Sequence, residues 1–126
     1  SIENCFTLNN AIWSENSVLT FDGNKGRGAS ANKNGEEKQA LCVDYITEKY
    51  GDFSYLNIDI EGAESEMLKG ARKSLQNKPK LCMAVYHRSE DIFALINRVK
   101  EINPNYKIYL RHHKHISFWD TNIYCI

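Results

Sequence analysis

Apolar runs alternate with amphipathic segments through the second half of the chain, and this alternation restricts the possible folds more than any other feature. The run "FSYLNIDI" precedes a segment in which apolar residues recur at helical spacing over residues 63–75, and the run "LCMAVY" follows Pro79. An entirely apolar run is typical of a parallel strand that is covered on both faces. The order strand, helix, strand therefore predicts an α/β fold in which these two strands are parallel neighbours.

A second helix is predicted after "LCMAVY", with Ser89 as its N-cap and "NPN" as its stop. Six apolar residues should form its buried stripe: Ile92, Phe93, Leu95, Ile96, Val99 and Ile102. The runs "YKIYLRHH" and "SFWDTNIYCI" then predict a closing antiparallel hairpin. We expect its tyrosines and Trp119 to pack in the core, together with Trp13 and Tyr86.

The first third of the chain has a different pattern of apolar and polar residues. The short runs "CFTL" and "SVLTF" predict β-strands. Residues 22–39 are polar and rich in glycine, without apolar periodicity, and predict a long loop. The segment "ALCVDYITEKYG" predicts a strand that leads into a short helix ending at Gly51.

Length and charge limit the possible functions. A chain of 126 residues fits a single domain. Its 16 basic and 16 acidic residues cancel, so charge favours neither a nucleic-acid nor an anionic-membrane partner. No apolar run approaches the roughly 20 residues of a membrane span, and the first residues lack the pattern of a secretory signal. We therefore expect a cytoplasmic protein.

The four cysteines are widely spaced and form no CxxC pair. They are Cys5, Cys42, Cys82 and Cys125. This spacing favours reduced core residues, and a disulfide framework or zinc site is the alternative.

Four carboxylates crowd into the eight residues that follow "FSYLNI": Asp59, Glu61, Glu64 and Glu66. Negative charge at a helix N-terminus is stabilising, which explains Glu66 and, in the main, Glu64. Asp59 instead belongs to the end of a strand, the edge at which open α/β sheets bind ligands. A structural role for the carboxylates at this turn is the alternative to a ligand site.

The segment "LNIDIEGAESEMLKGA" resembles the central motif of FkbM-type S-adenosylmethionine-dependent methyltransferases, in which a hydrophobic run is followed by D-x-E-G-A-E and a helix ending in L-K-G-A. The segments "ALCVDYI", "KPKLCMAVYHRSED", "NYKIYLRHH" and "DTNIYCI" resemble other parts of the same family. The resemblance implies a Rossmann-like methyltransferase fold, truncated at its start, with a mixed, mostly parallel sheet and a C-terminal antiparallel hairpin.

The resemblance also implies an activity, namely methyl transfer from S-adenosylmethionine to a hydroxyl of a sugar or secondary metabolite. Asn10 and Ala11 would contact the adenine of the cofactor, and Asp59 would face its methionine end. Asp59 and Glu61 would line the cleft and orient the cofactor amino group and the acceptor hydroxyl. His87 would be the leading general base and Asp59 the reserve.

The family's glycine-rich cofactor turn should precede Ile2, so residues 1–126 resemble the C-terminal two-thirds of a catalytic domain. Methyl transfer would then be complete only in a longer chain. The alternative is a non-catalytic module that binds or assembles. Without the preceding strands the sheet would expose an edge, which predicts a homodimer through that edge or weak cofactor binding.

Three further histidines, His112, His113 and His115, cluster near the closing hairpin, with Asp120 as a nearby carboxylate. Strand alternation puts His112 and His113 on opposite faces, which disfavours a shared metal site. We expect these histidines to be exposed polar residues, and we expect no metal ion in the protein.

Overall fold

A computed structural model describes residues 5–21, 35–113 and 120–126. It contains seven strands and three α-helices within these ranges. The strands are β1 (Ala11–Ile12), β2 (Ser17–Phe21), β3 (Glu36–Leu41), β4 (Tyr55–Ile58), β5 (Lys80–Ala84), β6 (Ile108–His112) and β7 (Thr121–Cys125). The helices are α1 (Val43–Tyr50), α2 (Glu64–Lys69) and α3 (Asp91–Ile102), with a 3₁₀ turn at Ser74–Asn77.

The strands form two mixed sheets, with orders β1-β3-β2 and β4-β5-β7-β6. Strands β4 and β5 are parallel, as predicted, with Ile58 opposite Met83. Strands β6 and β7 form the predicted antiparallel hairpin, and β7 also pairs antiparallel with β5. The α/β fold class is thus confirmed, although antiparallel pairs outnumber parallel ones among the described strands.

The core lies between one face of the four-stranded sheet and the helices. Apolar residues from β5 and β7 meet the buried stripes of α2 and α3 there, and Val43 of α1 joins them. The most completely buried members include Leu68, Met83, Val99 and Ile123. This packing fixes the carboxyl ends of β4 and β5 beside each other.

The single helix predicted over residues 63–75 is wrong, because α2 ends at Lys69 and the chain turns before the 3₁₀ segment. Asp44 of α1 causes part of this break. Its backbone N–H donates to the Gly70 carbonyl at 2.8 Å, and its carboxylate accepts from the Ser74 N–H at 2.8 Å and the Ser74 hydroxyl at 2.7 Å. These contacts replace the helical hydrogen bonds that would continue α2.

Helix α3 differs from the prediction at one apolar position and at its start. Phe93 is 74% exposed, because it lies roughly 200° around the helix from the buried Leu95. The N-cap residue is Glu90, and the Ser89 hydroxyl bonds to the Glu90 carboxylate. The Asp91 carboxylate accepts the Arg88 N–H at 2.9 Å and thereby closes the first turn.

Two predictions about the first third are revised, and one is confirmed. "CFTL" forms no strand in the described part of the chain, and "SVLTF" forms β2. Strand β3 begins at Glu36, within the loop predicted over residues 22–39. Residues 22–34 of that loop lie outside the described residues.

Burial of the cysteines and aromatic residues is uneven. Cys82 and Cys125 are buried and Cys42 is half-buried, whereas Cys5 is exposed, so the core prediction is wrong for Cys5. All four are free thiols.

Tyr106 is fully buried, as predicted, but Tyr109 is 44% exposed because β6 is an edge strand. Trp119 lies outside the described residues.

None of the helices in the described ranges has both the length and the apolar character that crossing a bilayer requires.

Candidate functional site

The turn after β4 places the acidic residues beside the end of β5. Asp59 is the first residue beyond β4, and the Ala63 N–H donates to the Ile60 carbonyl at 3.2 Å to close the turn. Glu61 and Gly62 within this turn have φ values of 55° and 96°. Left-handed backbone is ordinary for glycine but disfavoured for Glu61, and such strain concentrates at functional sites.

His87 lies at the centre of the carboxylates, with only 8% of its side chain exposed. Its Nε2 atom lies 3.3 Å from Asp59 Oδ1 and 3.6 Å from Glu61 Oε2. The structure therefore brings together all three residues that the sequence analysis named for catalysis. Because β4 and β5 are parallel neighbours, their carboxyl ends reach the same edge of the sheet.

Glu64 is a fourth member of this cluster, which the sequence analysis missed. Its side chain is 1% exposed, and its Oε1 atom lies 3.0 Å from His87 Nδ1 and accepts the Ile60 N–H at 3.1 Å. A role mainly in the helix dipole is wrong for Glu64, because its carboxylate points inward to the histidine. Glu66 fits the dipole interpretation better, since it is partly exposed and pairs with Lys69.

Tyr86 supports the outer part of the cluster. Its hydroxyl donates to Asp59 Oδ2 at 3.0 Å, and its ring lies 4.4 Å from the His87 ring between centroids. Burial and the hydrogen bond to Asp59 raise the pKa of Tyr86 to about 12. The phenol thus stays neutral at working pH and holds Asp59 in place as a donor.

Polar atoms in the cluster are poorly satisfied. Glu64 Oε2 and both ring nitrogens of His87 are buried and find no hydrogen-bond partner among the described residues. The carboxylate oxygens near His87 are within reach of its nitrogens, but they lie off the directions in which a ring N–H would donate. Buried polar groups without partners are rare and often mark a water or ion site.

A cavity of about 580 Å³ adjoins the cluster. Asn10, Ala11 and Glu61 line it, so the residues predicted to bind the cofactor adenine lie on the same cavity as the acidic turn. Other lining residues are Ile12, Trp13, Leu19, Phe21, Ile60, Gly62, Ala63, Ser65, Glu66 and Arg88. Glu61 joins the two regions, since it lines the cavity and approaches His87.

Among the described residues that line this cavity, Arg88 is the only cation, and sequence reasoning did not select it. The signal was available, because Arg88 directly follows His87 beyond the end of β5. A guanidinium on the cavity wall can bind a carboxylate or phosphate of a ligand.

The hairpin histidines make ordinary polar contacts. His112 Nδ1 lies 2.9 Å from Thr121 Oγ1, and His113 Nε2 lies 3.3 Å from the Tyr124 hydroxyl. His115 lies outside the described residues. Within the described ranges, the side chains with the spacing of metal ligands are instead Asp59, Glu64 and His87, whose ligand atoms all lie within 4.8 Å of one another.

Comparisons with known proteins agree with this architecture. The model of the methyltransferase FkbM domain family matches residues 4–119. Among solved structures, the chain is similar to methyltransferase FkbM from Methylobacillus flagellatus KT, with 39% identity and a TM-score of 0.64 over 71% of this chain. The match spans 24% of the length of that protein. A comparison with curated proteins gave no match. Because the family model covers nearly the whole sequence, this chain belongs to the FkbM methyltransferase domain family.

Proposed function

We propose that this chain takes part in methyl transfer from S-adenosylmethionine to a hydroxyl oxygen of a sugar or secondary-metabolite acceptor. The observation that carries the proposal is the shared cavity, in which Asn10 and Ala11 face the turn of Glu61 and Gly62. Its volume of about 580 Å³ lies within the usual range of small-molecule sites. Family membership supports methyl transfer in general, and the hydroxyl acceptor and the cofactor are parts of the proposal.

The residues of the cavity suit the parts of this cofactor. Asn10 and Ala11 lie on β1 or directly before it, where they would contact the adenine. Glu61 supplies a carboxylate for the amino group, and Arg88 supplies a cation for the carboxylate. Asp59 does not line the cavity itself, and it would add a second carboxylate from its position beside His87. Gly62 leaves space next to His87 and Arg88, since a Cβ there would be 3.7 Å from His87 Cβ and 3.6 Å from Arg88 Nε.

When bound, S-adenosylmethionine supplies a methyl group on a positively charged sulfur. The acceptor oxygen would form a bond to that carbon as the carbon–sulfur bond breaks, and the hydroxyl proton must leave. His87 is the leading general base, because its buried Nε2 atom faces Asp59 and Glu61, whose side chains are more than half exposed. Asp59 is the reserve base, held by the Tyr86 hydroxyl.

Cofactor binding is tested first by thermal shift and calorimetry on the chain with S-adenosylmethionine. Cofactor at about 100 times its dissociation constant should add roughly 2.7 kcal/mol to the free energy of unfolding. Asn10→Ala and Glu61→Gln should weaken binding, whereas Glu48→Gln, an exposed carboxylate on α1, should not. No stabilisation at millimolar cofactor would contradict the proposal and favour the alternative, a non-catalytic binding or assembly module.

Catalysis is tested in the longer chain in which methyl transfer is expected to be complete, with cofactor labelled in its methyl group and a panel of hydroxylated acceptors. Loss of a positioned base in His87→Ala should lower turnover by roughly a hundredfold or more, with little change in folding. Asp59→Asn should weaken both cofactor binding and rate, because it removes charge while keeping shape. Normal turnover in His87→Ala would remove this histidine from the mechanism. His112→Asn on the hairpin is the matched control.

A cytoplasmic location belongs to the same proposal. The four free thiols support it, since disulfides are rare in reducing compartments. The expected partner is the small-molecule or glycan acceptor, with no nucleic acid and no membrane partner.

A further inference from the structure

The cluster around His87 holds more negative charge than its own residues neutralise. Three carboxylates, from Asp59, Glu61 and Glu64, lie within 3.6 Å of one imidazole. Even a protonated His87 would cancel only one of the three charges. Among the described residues, no lysine or arginine forms an ion pair with any of these carboxylates. Uncompensated charge next to a buried carboxylate such as Glu64 is costly, and a bound cation would offset it.

The unsatisfied atoms of the cluster point to the same occupant. Glu64 and His87 are more than nine-tenths buried at their side chains, and three of their polar atoms have no hydrogen-bond partner in the described part of the chain. All of these atoms belong to residues with metal-ligand spacing. This observation is independent of the charge count, because it concerns geometry and burial.

The distances fit ligands that share a cation. Two ligands with bonds of about 2.1 Å, at angles of about 90–109° to each other, are separated by about 3.0–3.4 Å. The separation of 3.0 Å between His87 Nδ1 and Glu64 Oε1 lies in this range, and so does that of 3.3 Å between His87 Nε2 and Asp59 Oδ1. The two nitrogens point to different edges of the ring, so one cation can share only one of these pairs as they stand, and the second carboxylate, whose ligand atom lies within 4.8 Å, would have to turn toward it. In such an arrangement each oxygen lies off the axis of the nitrogen lone pair, as it does here.

We propose that Asp59, Glu64 and one ring nitrogen of His87 form a binding site for a divalent cation. The mixed oxygen and nitrogen donors favour Mn²⁺ or Zn²⁺ over Ca²⁺, which prefers more oxygen ligands. Glu61 lies at the rim, 3.6 Å from His87 Nε2, where it can bind the cation through a water. The expectation of a protein without a metal ion is replaced by this proposal.

The cation site does not rest on the proposed methyl transfer, because its ligands and its test need neither cofactor nor acceptor. It does change the role of His87. A ring nitrogen bound to a cation cannot accept a proton, and the cation instead makes a bound acceptor hydroxyl more acidic. Removal of the cation restores His87 as a free base, so chelation separates the two roles.

The test is calorimetric titration of the chain, first stripped with a chelator, with Mn²⁺ and separately with Zn²⁺. We expect one equivalent to bind, with affinity reduced roughly tenfold or more in Asp59→Asn and Glu64→Gln. Glu48→Gln should bind like the unmodified chain. Paramagnetic Mn²⁺ should broaden the imidazole NMR signals of His87 before those of His112 and His113.

Asp59→Asn keeps the test decisive if Glu64→Gln folds poorly, because the Asp59 side chain is 56% exposed. Lack of binding at millimolar Mn²⁺ and Zn²⁺ would overturn the proposal, as would binding that Asp59→Asn leaves unchanged. Either result would leave cofactor binding to the adjoining cavity intact, so failure of the cation site and failure of the proposed methyl transfer are distinguishable.

Discussion

Gly70 is the position at which one added methyl group should disturb the structure most. A Cβ built on Gly70 would lie 2.6 Å from the Trp13 carbonyl oxygen, 2.8 Å from the Ser14 carbonyl oxygen and 2.7 Å from Cys42 Cβ. Carbon–oxygen contacts are normally about 3.3 Å or longer, so the two backbone oxygens would have to move by roughly 0.5–0.7 Å. The backbone of Gly70 itself has φ −89°, which alanine adopts without strain.

The magnitude of the effect follows from two opposing contributions. Overpacking of this kind costs about 1–3 kcal/mol. Loss of the glycine's conformational freedom in the unfolded chain returns about 0.4–1 kcal/mol. Gly70→Ala should therefore destabilise the protein by about 1.3 kcal/mol at the centre of these ranges and by at most about 2.6 kcal/mol. For a chain of this size the central value lowers the Tm by roughly 4–8 °C. Because Trp13 lines the cavity, the displacement should also weaken cofactor binding.

Urea denaturation followed by circular dichroism and tryptophan fluorescence measures this effect. Lys69→Ala is the control, since this exposed neighbour contributes only an ion pair to Glu66, which should be worth about 0.3–0.5 kcal/mol. A Gly70→Ala protein with an unchanged or higher urea midpoint would refute the argument from close contact.

Three further outcomes are expected. Tyr106→Phe removes the hydrogen bond at 2.7 Å to the buried Pro79 carbonyl and should cost about 1–3 kcal/mol by urea denaturation. Burial raises the pKa of Tyr106 from 10.0 to about 12. The unfolded chain therefore loses this proton at a lower pH than the folded chain, so the free energy of unfolding falls between these two pH values. In Tyr106→Phe this fall should be smaller. In thiol labelling, Cys5 should react in the native state, whereas Cys82 and Cys125 should react only on unfolding, because both are buried and burial raises the pKa of Cys125 to about 12. Because β4 is an edge strand of the described sheet, light scattering should find a dimer, or else the chain should bind S-adenosylmethionine weakly. A monomer that binds S-adenosylmethionine at micromolar concentration would contradict this.

Local patterns were sufficient to predict most of the second half of the fold. Strand β5 and its parallel neighbour β4 were predicted from apolar runs of the right length, and the hairpin of β6 and β7 from a short connection. The failures have tertiary causes. Helix α2 was predicted too long because Asp44, about thirty residues earlier, captures the backbone at Ser74. The prediction that Phe93 is buried was wrong, because apolar character alone does not show which side of α3 faces the sheet.

The motif and the strand order predicted that Asp59, Glu61 and His87 lie together at this sheet edge, but not how the carboxylates are arranged. Strand order at a sheet edge was enough to bring Asp59 and His87 together. The inward position of Glu64 was not predictable in the same way. It depends on the left-handed turn at Glu61 and Gly62, which reverses the chain and directs the Glu64 carboxylate back to the Ile60 N–H.

The two glycines of this motif, Gly62 and Gly70, are therefore required for different physical reasons. Gly62 is required by its backbone conformation, since a φ of 96° is strained for any residue with a Cβ although space for one exists. Gly70 is required by space, since its conformation suits alanine but Trp13, Ser14 and Cys42 fill the position of a Cβ. The first glycine shapes the turn that aims carboxylates at His87, and the second lets α2 approach the segment that lines the cavity. Because these two glycines, eight residues apart, flank α2, the same short helix positions both the acidic cluster and the segment that lines the cavity. Glu61 belongs to both regions, since it lines the cavity and approaches His87.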